Sequence, residues 1–172
     1  MCIRDRNISG LLRATQKLSH LRNDFELVLV GDGQDFQKIK EYSQNLHLEA
    51  YVTFTGLIEK EEKLAECYRQ SCCLVMFSNY ENMPVVINES LACGKPVIAT
   101  RVGGIPEIID SAKGILIDPK NEDSLCEAMN YMLDHASEYD SQALRNYAVE
   151  NFSFSKVGEC FLKIYQEIKP IQ

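Results

Sequence analysis

The chain has 172 residues, 45% of them apolar and 25% charged, which suits one globular domain with a sizeable core and excludes a disordered or fibrous chain. A formal net charge of -7 opposes nonspecific binding to nucleic acid or anionic lipid, since both need a positive field, but it leaves room for a local basic pocket. There is no transmembrane segment, because no apolar run reaches bilayer-spanning length, and no secretory leader is visible, so the expected compartment is the cytosol.

Two periodicities alternate along the chain. Ile8, Leu11, Leu12, Thr15 and Leu18 recur at helical spacing. Residues 26–30 are apolar and β-branched and stop at Gly31-Asp-Gly33, the pattern of a buried strand ending in a turn. Phe36, Ile39, Tyr42 and Leu46 restore the helical spacing, and a strand is expected over 52–55, closed by Gly56. Leu64, Cys67, Tyr68 and Ser71 line another helix, followed by a strand over 74–77. A helix over about 85–93 is broken by Gly94 and Pro96, and strands over 97–100 and 115–117 follow. The last third is helical, with one stripe on Leu125, Ala128, Met129 and Met132 and another on Val157, Phe161, Ile164, Tyr165 and Ile168. Alternation of this kind predicts an α/β fold, a Rossmann-like parallel sheet with helices on both faces. The chain opens on a helix where a doubly wound domain normally opens on a strand. Residues 1–6 are too short and too charged for that strand and read as a doubtful or non-native opening. Residues 7–172 then form one domain whose first strand is missing.

Seven cysteines raise the question of metal or disulfide chemistry. No two have C-x-x-C spacing, and most fall in apolar periodic segments, so they are expected to be reduced, buried thiols acting as small hydrophobes. His20, His47 and His135 are scattered and read as surface residues. Gly31-Asp-Gly33 starts like a dinucleotide fingerprint, but the third glycine position is Phe36, which argues against a nicotinamide dehydrogenase.

The chemistry concentrates in the segment after the third expected strand. In open α/β sheets, ligands bind at the carboxyl ends of strands. Pro84 suits the first turn of a helix, where its missing N–H costs nothing. The amides of Val85 and Val86 would then face an anion, helped by the helix dipole. Glu81 precedes the helix and Glu89 lies about one turn inside it. At roughly 100° per residue, Glu89 projects away from Ile87 and Leu91. A carboxylate there can accept both hydroxyls of a ribose diol. Carboxylates repel phosphate, so both glutamates should meet sugar hydroxyls. The bland alternative makes Glu81 a cap and Glu89 a solvated side chain.

Glu81-Asn-Met-Pro-Val-Val-Ile-Asn-Glu89, followed by Ser90-Leu-Ala-Cys-Gly-Lys-Pro-Val-Ile-Ala99, resembles the E-x7-E signature of retaining GT-B glycosyltransferases, specifically glycosyltransferase family 4. Val28-Leu-Val-Gly-Asp-Gly33, Val52-Thr-Phe-Thr-Gly56, Val102-Gly-Gly-Ile-Pro-Glu-Ile108, Gly114-Ile-Leu-Ile-Asp-Pro119 and Asn151-Phe-Ser-Phe-Ser155 resemble further segments of that family in the right order. The resemblance implies the C-terminal, donor-binding half of a GT-B architecture. It implies that Glu89 binds the nucleotide ribose and that Glu81, the candidate catalytic residue, lies near the transferred sugar. Asn82, Met83, Pro84, Val85 and Val86 would approach the sugar and diphosphate. Gly31, Phe54 and Gly56 would line the base and donor side. Arg6 would stand where the family has a diphosphate-binding lysine. The implied substrate is a nucleotide-diphosphate sugar, with no cofactor and no protein metal site. The implied partner is an N-terminal acceptor domain, through which the protein would be peripheral to the membrane. A non-catalytic nucleotide-sugar-binding module and a nucleotide-sugar epimerase on the same scaffold are the competing expectations.

Overall fold

In the computed structural model, residues 6–168 are described. Among them the elements run in chain order: α1 (Ile8–Ser19), β1 (Leu27–Val30), α2 (Phe36–Asn45), β2 (Val52–Gly56), α3 (Glu61–Gln70), β3 (Leu74–Met76), α4 (Val85–Ala92), β4 (Val97–Thr100), α5 (Ile105–Ile108), β5 (Gly114–Ile117), α6 (Glu122–His135), a 3-10 turn (Ala136–Glu138), α7 (Ser141–Phe152) and α8 (Phe154–Glu167). The five expected strands are present, and every strand pairing among the described residues is parallel. Pairing falls into two groups, β1–β2 and β3–β4–β5.

Local chemistry sets the helix ends. Asn7 adopts a left-handed conformation, and its side chain accepts from the Gly10 amide, closing the first turn of α1. The side chains of Asn121, Asp140 and Ser153 likewise accept first-turn amides of α6, α7 and α8, without the left-handed backbone. Ser153 also ends α7, so one residue turns the chain from α7 into α8.

Strand alternation divides the core between two faces. On one, Leu11, Ala14 and Leu18 of α1 and Leu125, Met129 and Met132 of α6 pack with Phe77, Ile98 and Ile117, and with Leu27, Leu29 and Val75. On the other, Ile87 and Leu91 of α4, Ile105 and Ile108 of α5, and Leu144 and Ala148 of α7 pack with Met76, Val97 and Ala99. Leu12 of α1 turns the other way and joins Leu48 and Val52 beneath α2. Helices therefore cover both faces of the β3–β4–β5 sheet, as the alternation predicted. β4, between two neighbours, is buried at every position.

Three expectations need correction. β1 was expected to be buried on both faces. It alternates half-buried and exposed, with Val28 and Val30 each 43% exposed, and among the described residues β2 is its one paired neighbour. The stripe on α8 forms a helix but stays outside the core, with Phe161, Ile164, Tyr165 and Ile168 all exposed. An amphipathic pattern specifies a helix without guaranteeing that its apolar face finds a cover within the described residues. The cysteines are not uniformly buried: Cys126 is, Cys67, Cys73 and Cys93 are half-buried, and Cys72 and Cys160 are exposed. Cys2 lies outside the described residues.

Candidate functional site

β3 runs straight into the segment that the sequence singled out. Phe77 and Ser78 continue its buried line, and the buried Thr100 hydroxyl at the end of β4 donates to the Ser78 carbonyl at 2.7 Å. That bond fixes where the chain leaves the sheet. Residues 79–84 then cross the strand ends to α4. Pro84 is the residue before the first turn of α4, with φ -76° and ψ 121°, one position earlier than expected. Among the described residues, the amides of Val85 and Val86 have no hydrogen-bond acceptor, whereas Ile87 donates back to the Pro84 carbonyl. Val85 is 65% exposed, so this helix start opens to solvent.

The two glutamates stand at opposite ends of this turn. Ile87 and Leu91 are fully buried, which leaves Glu89 on the far side of α4, half-buried. It is not free there. The Tyr68 hydroxyl of α3 donates to Glu89 Oε2 at 2.9 Å. Burial and then the adjacent carboxylate hold the Tyr68 phenol above its ordinary range, so it remains a donor. An ionised carboxylate can accept about four hydrogen bonds, so capacity remains on Glu89.

Glu81 is held from two sides. Arg6 Nε lies 2.6 Å from Glu81 Oε1, with both side chains largely buried, and the Ser78 hydroxyl donates to the same oxygen at 3.2 Å. The guanidinium also reaches Met76 Sδ at 3.8 Å. An arginine 75 residues upstream is thus brought against the candidate catalytic carboxylate.

A second turn supports this one. The Gly104 amide donates to the Asn82 carbonyl at 2.8 Å. Gly103 has φ +54°, and a Cβ there would sit 1.9 Å from the Glu81 carbonyl oxygen. Only glycine fits such an approach. Gly103 and Gly104 were read in the sequence as part of a matching segment, without a role. Tyr68, Ser78 and Thr100 carried no local signal for theirs, which depend on contacts between distant segments. The side-chain oxygens of Asn79 and Asn88 are buried with no hydrogen-bond partner among the described residues.

Gly31, Phe54 and Gly56 gather at the ends of β1 and β2. The Gly31 amide donates to the Gly56 carbonyl at 2.8 Å. Phe36 sets its edge against Phe54, with ring centroids 5.8 Å apart, so the bulk that displaced a third glycine packs on the strand end. No hydrogen bond or ion pair joins this group to Glu81 or Glu89 among the described residues. His20 and His47 are exposed, and His135 stacks on Tyr131. No cluster of three or more potential metal ligands occurs among the described residues.

The sequence family described as "Glycosyl transferases group 1" matches residues 3–151. The chain belongs to that family. This group 1 glycosyltransferase chain is 44% identical over 86 residues to N-acetyl-alpha-D-glucosaminyl L-malate synthase of Bacillus anthracis, covering 50% of the chain and 22% of the relative. It is 33% identical over 153 residues to an uncharacterized glycosyltransferase of Methanocaldococcus jannaschii, covering 84% and 41%. The solved sucrose-phosphate synthase of Thermosynechococcus elongatus superposes with a TM-score of 0.84 at 26% identity, over 96% of the chain and 43% of that structure. The fold is therefore the Rossmann-like half of a GT-B architecture, and the chain spans less than half the length of each of these relatives. Among the described residues of this glycosyltransferase chain, no helix is long and apolar enough to cross a membrane.

Proposed function

We propose that the protein binds a nucleotide-diphosphate sugar and presents it for retaining transfer to an acceptor. The observation that carries this is the α4 start: two unengaged amides, at Val85 and Val86, flanked by the fixed carboxylates Glu81 and Glu89. Amides at a helix N-terminus suit the diphosphate. Glu89, oriented by Tyr68, suits the ribose diol. Glu81 then faces the transferred sugar. Arg6 adds positive charge beside the leaving group. The acceptor oxygen bonds to the anomeric carbon as the bond from that carbon to the phosphate oxygen breaks. The departing diphosphate takes the acceptor's proton. No cofactor enters this scheme.

Titration calorimetry with UDP, GDP and ADP tests the binding step. One of the three should bind, and silence with all three removes the reading. Sugar transfer is expected only when an acceptor domain is supplied, because the reacting groups must be positioned together and shielded from water. Turnover of the bound donor to an epimer would favour the epimerase instead. Binding with no turnover when that domain is present would favour a non-catalytic module.

Tyr68→Phe probes the orientation of Glu89. It removes a hydrogen bond to a charged acceptor without changing the ring, and nucleotide affinity should fall while the fold persists. In a double-mutant cycle with Glu89→Gln, the two effects should overlap by about 0.5–3 kcal/mol. Strict additivity would show that Tyr68 does not act through Glu89.

A further inference from the structure

Away from the nucleotide site, two thiols meet at the opposite end of β3. Ser71 closes α3 by donating its amide to the carbonyls of Cys67 and Tyr68, and the chain then bends at Ser71 and Cys72 before β3 begins. In an extended strand, successive side chains point to opposite faces. The bend breaks that alternation, and the Sγ atoms of Cys72 and Cys73 come to 3.8 Å. Cys72 is exposed, whereas Cys73 packs against the core beneath α1 and α6. The Leu74 amide donates to the Pro96 carbonyl, which carries Lys95 past this corner. No other two cysteine sulfurs are in hydrogen-bond contact among the described residues.

We propose that Cys72 and Cys73 form a vicinal dithiol site that captures a trivalent arsenical, one arsenic atom bridging both sulfurs. The separation of 3.8 Å is far beyond a disulfide bond of about 2.05 Å, and it accommodates an atom between the sulfurs with little backbone movement. The step balances without an oxidant. An organic arsenic(III) oxide, R–As=O, gains two As–S bonds, and its oxygen leaves as water with the two thiol protons. Reactivity is supplied locally. The Cys73 S–H can donate to a Cys72 thiolate, and Lys95 adds a smaller attraction, which holds Cys72 below the ordinary thiol range against the burial that opposes ionisation. Cys73, beside that charge and buried, is pushed up and keeps its proton until arsenic is bound to its neighbour. Exposed Cys72 attacks first, and Cys73 closes the ring.

Phenylarsine oxide is the probe. One equivalent added to the reduced protein should give a single adduct, seen by intact mass as the arsenical less one water. A monothiol should not remove it, and a dithiol such as dimercaptopropanol should. Cys72→Ser and Cys73→Val should each abolish the monothiol-resistant adduct, while Cys160→Ser, which removes an exposed lone thiol, should leave it intact. Cys72 is exposed, so its variant should fold normally and decides the matter even if Cys73→Val proves unstable. An adduct that survives Cys72→Ser, one lost in Cys160→Ser, or none resisting a monothiol in the unaltered protein would each overturn the assignment.

Discussion

Gly103→Ala is expected to abolish nucleotide binding and to lower stability by about 2–5 kcal/mol. Two costs combine. A left-handed backbone costs a non-glycine residue about 1–2 kcal/mol, and forcing a methyl group into a packed contact costs about 1–3. Here the contact is with backbone: the added carbon would meet the Glu81 carbonyl oxygen at 1.9 Å, and no rotamer can relieve it. The 102–104 turn or the Glu81 turn must move, and the Gly104–Asn82 hydrogen bond moves with it. The melting temperature should fall by roughly 5–20 °C. Gly31→Ala and Gly56→Ala are the controls. Both positions have positive φ, yet no atom lies within 4 Å of an added Cβ, so they should show the backbone cost alone. If all three variants melt alike and Gly103→Ala still binds nucleotide, the glycine pair does not hold the site.

Glu89→Gln is expected to weaken nucleoside diphosphate binding roughly ten- to hundredfold, as loss of a charged hydrogen bond of about 1.5–3 kcal/mol implies. Glutamine keeps the shape but not the charge or the second acceptor oxygen. Its amide oxygen can still accept from Tyr68, so the fold should tolerate the change. Calorimetry beside a thermal melt separates the roles. Reduced affinity with an unchanged melt supports a ribose clamp. A lower melt without a specific binding defect makes Glu89 a structural anchor for Tyr68. Unchanged affinity removes Glu89 from the site.

The strands were legible because their apolar runs end at turn residues, and Gly56 at the end of β2 has the left-handed backbone such a stop requires. α4 was legible from Pro84 and the buried pair Ile87 and Leu91. α5 and α7 were not picked out individually. α5 has only four residues, too few to show a period, and α7 buries just Leu144 and Ala148. The two glutamates could be named from their spacing, but their partners could not. Tyr68, Arg6 and Gly103 reach them across 21, 75 and 22 residues, and a local pattern carries no information about which distant segment the fold returns. Cys72 and Cys73 misled for the opposite reason. Their apolar surroundings suggested burial, and the bend before β3 turned one thiol outward.

The division of strand pairing into β1–β2 and β3–β4–β5 has a consequence for how the molecule opens. No ladder hydrogen bond joins β1 to β3 among the described residues, so cohesion between the two groups rests on side-chain packing. α1 supplies much of it, since Leu11, Ala14 and Leu18 face one cluster and Leu12 the other. Leu27 and Leu29 of β1 add to it by packing in the same cluster as Val75 and the α6 side chains, and the β1–β2 pair is expected to open locally while the larger group stays folded. Amide protons in β1 and β2 are expected to exchange through that partial opening, whereas those of β4, paired on both sides and buried throughout, should wait for the global one. α1 thus contributes to the free-energy gap between the two openings, although it contributes no ladder bond to either sheet.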